Sequence, residues 1–157
     1  MAAARFIFLC GLPGSGKSTV ARVLADELGA FRFCPDEWMS AIGIDLFDEP
    51  ARARVEALQW ELAQQLVLHG VTAIVEWGVW SRAERDAARA RARELGVPIE
   101  LVFLDAPLDV LWQRVQRRNE AGAPETPIIT RENLVEWSER FEPPTEEELG
   151  LFDPPED

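Results

Sequence analysis

The stretch GLPGSGKS, residues 11–18, lies between an apolar segment, RFIFLC (5–10), and a helical segment that ends at Gly29. It fits the pattern G-x-x-x-x-G-K-[ST], and a strand before it and a helix after it are the context that this pattern requires. Glycines let the backbone N–H groups turn inward around phosphate oxygens, next to the helix N-terminus. The stretch therefore predicts a phosphate-binding loop.

Lys17 is the only lysine among sixteen basic side chains. Its compact ammonium can reach the β- and γ-phosphates of a nucleotide, where a planar guanidinium does not fit in the same way. Ser18 would present its hydroxyl to Mg²⁺. We expect the nucleotide phosphates to be bound by Leu12, Pro13, Gly14, Ser15, Gly16, Lys17, Ser18 and Thr19.

Length and charge limit the classes of protein to consider. The chain has 157 residues, 47% of them hydrophobic, and a net charge of −12. This length suits a single domain over residues 1–157. Duplex nucleic acid is held largely through its phosphates, so the acidic balance disfavours a nucleic-acid partner. An anionic ligand would need a local positive site.

The apolar segments exclude a membrane span and favour the cytoplasm. No run of 18 apolar residues occurs, and the segment 6–10 is too short for a signal sequence. Cys10 and Cys34, the two cysteines, are expected to be buried free thiols.

Strands and helices are expected to alternate along the chain. This alternation predicts an α/β fold of three layers, α/β/α, with a parallel sheet covered on both faces. The expected strand order is 2-3-1-4. Residues 119–130 form an expected lid loop, and residues 141–157 an acidic, partly ordered tail. The predicted strands are 5–10, 30–34, 71–77 and 98–105, and the predicted helices are 17–28, 50–69, 81–96, one from Pro107, and 130–140.

Acidic side chains follow the predicted second and third strands, at the edge where ligands bind in such sheets. Asp36 could accept a proton from an attacking hydroxyl, with Glu37 as the second choice. The alternative for Asp36 is a helix N-cap. Glu76 suits an outer-shell role on Mg²⁺, or is another candidate base. Asp105, after the fourth strand, is interpreted as a helix cap.

Arginines recur at helical spacing in two places. Arg82, Arg85, Arg89 and Arg93 share one stripe, of which only the first two can lie near the active edge. Either could hold an anionic or hydroxyl-rich acceptor, or the transferring phosphoryl group; the alternative is a solvated face.

The second group comprises Arg114, Arg117 and Arg118, which lead into the predicted lid loop. Such arginines could close over phosphates and stabilise developing charge. The alternative is a helix C-terminus that favours cations.

Three of the tryptophans fall at the same edge of the sheet. Trp38, Trp77 and Trp80 indicate an acceptor with a flat or apolar face. The other tryptophans, Trp60, Trp112 and Trp137, are expected in the core.

Five segments together resemble the small P-loop kinases grouped as AAA-type ATP-binding or predicted kinase proteins, over nearly the whole chain. That group is related to 5′-hydroxyl polynucleotide kinases, chloramphenicol phosphotransferase, gluconate kinase and zeta-toxin kinases. The segments are GLPGSGKST, CPDEW, VEWGVWSRAERDAARARARELG, LDAPLDVLWQRVQRRN and FEPPTEEEL.

The resemblance implies a P-loop NTPase fold that uses ATP and Mg²⁺. It implies a base at Asp36, an acceptor or phosphate contact at Arg85 and less surely at Arg82, and lid arginines at Arg114 and Arg118. Two departures are Glu76, where relatives often have Asp, and the lack of a predicted fifth strand. The adenine pocket would then come from the region 142–151.

The sequence thus predicts an ATP-dependent phosphotransferase that acts on a hydroxyl of a small molecule. A polynucleotide 5′-hydroxyl kinase is one alternative, and a regulatory ATPase without an acceptor is another. A nucleoside monophosphate kinase is disfavoured, because a phosphate acceptor needs no base at Asp36.

Overall fold

The computed structural model describes residues 2–123 and 126–156. Strands and helices alternate along most of the chain, with one additional short helix after the second strand and two helices near the C-terminus. The elements are β1 (Phe6–Cys10), α1 (Lys17–Leu28), β2 (Phe31–Phe33), α2 (Pro35–Ala41), α3 (Glu49–Leu68), β3 (Ala73–Gly78), α4 (Arg82–Leu95), β4 (Ile99–Phe103), α5 (Leu108–Ala121), α6 (Arg131–Arg140) and α7 (Glu146–Leu149).

The four strands form one parallel sheet in the order β2-β3-β1-β4, which confirms the predicted order 2-3-1-4. Phe6 of β1 pairs with Ala73 of β3 on one side and with Ile99 of β4 on the other. All five residues of β1 are buried, as expected for a central strand that is covered on both faces. The phosphate loop leaves this strand at its carboxyl end.

Alternate residues of β1 face opposite layers of helices. Phe6 and Phe8 belong to a buried cluster with residues of α3 and α4. Ile7 and Leu9 pack in a second cluster with Ala21 of α1. This alternation follows from the period of two in a strand, and it confirms the three-layer α/β/α arrangement.

Three local expectations need correction. Helix α2 begins at Pro35, directly after β2. Helix α5 continues to Ala121, so residues 119–121 are helical rather than part of a loop; residues 124 and 125 of the predicted lid loop lie outside the described residues. In the acidic tail, residues 146–149 form a helix whose Glu148 is buried.

Two further expectations concern the cysteines and a membrane span. Cys10 and Cys34 are buried free thiols, as predicted. None of the helices in the described part of the chain is both long and apolar enough to cross a membrane.

Candidate active site

The phosphate loop (Gly11–Ser18) joins β1 to α1 through two glycines with positive φ. Gly14 has φ 84° and Gly16 has φ 96°, angles that residues with a side chain rarely adopt. A Cβ atom on Gly14 would also lie 2.7 Å from the backbone oxygen of Leu111. The loop conformation therefore depends on glycine at both positions.

Lys17 is held inside this loop by its own backbone. Its Nζ donates to the carbonyl oxygens of Gly11 (3.0 Å) and Leu12 (3.1 Å). Burial, followed by the charge of Arg118, lowers the pKa of Lys17 to about 8. The positive charge is thus poorly compensated by the protein, and a phosphate anion would compensate it.

Two serines of the loop are placed to meet phosphate and metal. The Ser15 hydroxyl is buried and has no hydrogen-bond partner in the described residues. The Ser18 hydroxyl donates to Oε1 of Glu76 at 2.8 Å. Arg32 pairs with the other oxygen of Glu76 at 2.7 Å. Ser18 and Glu76 therefore lie within hydrogen-bond distance of each other, as expected if Ser18 binds Mg²⁺ and Glu76 lies in its outer shell.

The protein alone does not supply a complete cage for a metal ion. Among residues 2–123 and 126–156, no group of three or more His, Cys, Asp and Glu residues could hold one. Mg²⁺ at P-loops is completed by phosphate oxygens and water. The donors that are present, Ser18 with Glu76 behind it, fit that mode of binding.

Asp36 lies in the first turn of α2 and faces the cleft above the phosphate loop. It is not the N-cap, which is Cys34. Its carboxylate pairs with Arg52 of α3, and Arg52 also donates to the carbonyl oxygen of Leu46 at 2.7 Å. Arg52 therefore fixes the orientation of the candidate base.

Glu37, the second candidate base, is engaged elsewhere. Its Oε1 atom pairs with Arg22 at 3.3 Å and with Arg32 at 3.2 Å. Since Arg32 also pairs with Glu76, these side chains form one network beside Ser18. Glu37 thus belongs to the network beside Ser18, whereas Asp36 pairs with Arg52 of α3.

One cleft of about 1090 Å³ contains the phosphate loop, Asp36 and Glu76. That volume exceeds the roughly 300–1,000 Å³ of most single-ligand pockets, so it leaves room for a nucleotide and a second molecule. We call its two parts the phosphate end and the distal end. The phosphate end contains Lys17, Arg22, Glu37, Glu76, Trp80, Arg114, Arg117 and Arg118, and Trp80 donates its indole N–H to the carbonyl oxygen of Gly11 there. The distal end, around α3, contains Glu49, Arg52, Glu56, Trp60, Trp77, Glu84, Trp137 and Arg140.

The three arginines of α5 all line the phosphate end, where the sequence placed them. Nη1 of Arg114 donates to the carbonyl oxygen of Gly14 at 3.2 Å, and the charge of Arg118 acts on Lys17. These side chains therefore surround the position at which phosphates would bind.

The expected role of Arg85 at the acceptor is wrong for this structure. Its side chain is 1% exposed and does not line the cleft. The guanidinium pairs with Glu148 and donates to the carbonyl oxygen of Val79 at 2.8 Å. Arg82 also lies outside the cleft, where it pairs with Asp86.

The tryptophans are distributed differently from the expectation. Trp77 and Trp80 line the cleft, but Trp38 packs on Phe33 instead. Trp60 and Trp137, which were expected to be core residues, also line the cleft.

The polar residues of the distal end were not predicted from the sequence, and Arg52 and Glu56 are examples. Arg52 and Glu56 lie one turn apart on α3, followed after another turn by Trp60. The four-residue spacing of these side chains on one helix was the available signal. This spacing alone does not indicate which face of α3 lines the cleft.

Comparison with known proteins gives a family match. Residues 6–144 match a family model described as an AAA domain. The chain is 30% identical over 137 residues to a shikimate kinase of Rhizobium meliloti (strain 1021), covering 83% of this chain and 69% of the relative.

Two solved structures share the fold. One is the Mycobacterium tuberculosis APS kinase CysC in complex with AMPPNP and APS, with a TM-score of 0.61 and 26% identity over 78% of this chain and 75% of that one. The other is a chain of the Pnkp1/Rnl/Hen1 RNA repair complex, with a TM-score of 0.76 and 20% identity. The match covers 89% of this chain and 44% of that longer one.

Proposed function

Because this chain belongs to the family of small P-loop kinases whose model is described as an AAA domain, we propose that it transfers the γ-phosphate of ATP to a hydroxyl group of a small molecule. The observation that carries the proposal is the arrangement within one cleft. The phosphate loop with its partly buried lysine, the Asp36 carboxylate and the distal end all line this cleft.

In the proposed reaction, the phosphate loop holds the triphosphate. The loop amides, the Ser15 hydroxyl and Lys17 bind the β- and γ-phosphates. Mg²⁺, when bound through Ser18 with Glu76 behind it, would neutralise charge on the phosphate oxygens. Arg114 and Arg118 of α5 lie where charge develops on the transferring group.

Asp36 acts as the base toward the acceptor. Its carboxylate takes the proton of the acceptor hydroxyl as that oxygen forms a bond to the γ-phosphorus. The bond between the γ-phosphorus and the bridging oxygen to the β-phosphate breaks, and ADP leaves. The products are ADP, a phosphate monoester and the proton first held by Asp36.

A polynucleotide 5′-hydroxyl kinase is the second candidate. The fold shared with the RNA repair complex supports its consideration. Against it stand the net charge of −12 and the carboxylates at the distal end of the cleft, since a phosphodiester strand requires neutralising cations. A regulatory ATPase would release ADP without any acceptor.

One experiment separates these functions. Purified protein is mixed with Mg·ATP and, in turn, hydroxyl-bearing metabolites, sugars, nucleosides and a 5′-hydroxyl oligonucleotide, and ADP release is followed. The proposal predicts release that depends on a small molecule and is lost in Asp36→Asn. Release driven only by the oligonucleotide would favour the second candidate, and acceptor-independent release would contradict both.

A further inference from the structure

Charged side chains of both signs line each end of the cleft. Basic ones predominate at the phosphate end, which also holds Glu37 and Glu76, whereas at the distal end three carboxylates face two arginines. The phosphate end carries the basic side chains Lys17, Arg22, Arg114, Arg117 and Arg118. Beyond Asp36, the lining includes the carboxylates Glu49, Glu56 and Glu84. Asp36 lies where the two ends meet, because it lines the cleft with the phosphate loop and its carboxylate pairs with Arg52 of the distal end.

The arginines at the distal end already have partners. Arg52 is engaged by Asp36 and by the carbonyl oxygen of Leu46. Arg140 lies over the ring of Trp80, 5.9 Å from its centroid, and 3.9 Å from Glu49. An anionic acceptor would have to compete for these cations.

Two carboxylates at the distal end remain without a partner. The side chains of Glu56 on α3 and Glu84 on α4 make no hydrogen bond or ion pair within residues 2–123 and 126–156. Burial raises the pKa of Glu56 to about 7, with a further rise from the charges of Glu84 and Asp36 and an opposing effect of Arg52. The protein thus leaves a partly buried acid facing the space that a second molecule would fill.

Aromatic rings line the same cleft as Glu56, and Trp60 lies one turn from it on α3. The ring of Trp60 packs edge-on against Trp77, with 6.0 Å between centroids. Trp137 of α6 packs against Trp80, which contacts the phosphate loop. The face of an indole ring attracts cations, most strongly where water is excluded. The position of Arg140 over Trp80 shows that one of these rings is already used in this way.

We propose that the acceptor is a hydroxyl compound that also carries a positive charge, such as a protonated amine, bound between Glu56 and Glu84 against the tryptophans. This inference rests on the proposed kinase function, because it assigns the substrate class of the same cleft. The hydroxyl would point to Asp36 and the cation to Glu56. Glu56 is then a specificity-determining residue that does not touch the reacting atoms.

The test uses two sets of compounds matched in size and differing in charge. One set is glucosamine, glucose and gluconate; the other is 2-amino-1-phenylethanol, 1-phenyl-1,2-ethanediol and mandelate. Binding to the protein with Mg·ADP bound is followed by the fluorescence of the cleft tryptophans and by calorimetry, and transfer by ADP release from Mg·ATP. In at least one set, the cationic member is expected to bind about tenfold or more tightly than its neutral and anionic counterparts.

Glu56→Gln keeps the size of the side chain and removes its charge. The variant is expected to weaken binding of the cationic member by about tenfold, through KM rather than kcat, with a smaller change for the neutral member. Glu61→Gln is the matched control, because Glu61 lies on the exposed face of the same helix outside the cleft. The control should behave like the wild type.

The outcomes separate this inference from the proposed function. Tighter binding of the anionic or neutral members, no saturable binding of either cationic member, or no effect of Glu56→Gln on the cationic member would each overturn the inference. If Mg·ATP fails to bind the wild-type protein, the proposed function fails, whatever the ranking of the acceptors.

Discussion

Arg85 and Glu148, 63 positions apart in the chain, form a two-point ion pair in the interior. Their side chains are 1% and 2% exposed. Arg85 also donates to the carbonyl oxygen of Val79, a residue with φ 39°, immediately before Trp80 of the cleft. The pair therefore joins the C-terminal segment to the backbone that positions Trp80 beside the phosphate loop.

Glu148→Ala is expected to lower the free energy of unfolding by about 3–5 kcal/mol, because it leaves a buried guanidinium without its partner. Urea denaturation measures this loss. Glu147→Ala, at an exposed position of the same helix α7, is the control and should change stability little. Equal losses in the two variants would contradict the structural role of the pair.

Asp36→Asn is expected to slow phosphoryl transfer by about 10²–10⁴-fold and to leave the affinity for ATP nearly unchanged. The amide cannot accept the proton of the acceptor hydroxyl, whereas the phosphate loop remains intact. The measurement is kcat with an active acceptor, together with the Kd of AMPPNP. Glu37→Gln serves as the comparison, and a larger loss of kcat in that variant would transfer the role of base to Glu37.

Arg118→Ala is expected to reduce kcat by about 10²-fold, since it removes a cation from the position where charge develops on the γ-phosphate. Gln113→Ala is the control, because Gln113 is exposed on the same helix and does not line the cleft. Rates are compared at saturating ATP. If Arg118→Ala retained full kcat, Arg118 would act only as a cation that stabilises the C-terminus of α5, and not on the transferring phosphate.

The pKa of Glu56 predicts a pH dependence of stability. Burial raises this pKa from 4.5 to about 7. The charge of Arg52 opposes the rise, and the charges of Glu84 and Asp36 add to it. Between these pH values the folded chain holds a proton that the unfolded chain has released, so this group makes the free energy of unfolding fall as the pH rises.

Glu56→Gln removes that contribution. Between pH 4 and pH 8, the free energy of unfolding of the variant should rise relative to that of the wild type by on the order of 2 kcal/mol. Denaturation curves across this range measure the change, and Glu61→Gln should follow the wild-type profile. Parallel profiles for the wild type and Glu56→Gln would show that the carboxyl is well hydrated.

Sequence reasoning predicted the features that are specified by short, continuous patterns of residues. The phosphate loop, including Lys17 and Ser18, is specified by its glycines and by the elements on either side. The parallel sheet follows from the alternation of strands and helices, and the order of its strands, with β3 next to β1, brings Glu76 beside Ser18. The three arginines of α5 share one side of their helix and reach the cleft together.

The features that it missed depend on contacts between distant segments. A stripe of arginines on α4 does not reveal that Arg85 is neutralised by Glu148, which lies in a tail of ordinary acidic composition. Arg52 and Glu56 enter the cleft only because α3 packs beside α2 and α4. Trp60 reaches the cleft from the same face of α3, whereas Trp38 packs on Phe33.

The most direct test of the phosphate-loop mechanism is calorimetric titration of the purified chain with Mg·AMPPNP. The mechanism predicts saturable binding by the wild type and its loss in Lys17→Ala, with circular dichroism showing that the variant is folded. Absence of binding by the wild type, or equal affinity in the folded variant, would contradict the claim that Lys17 and the surrounding amides hold a nucleoside triphosphate.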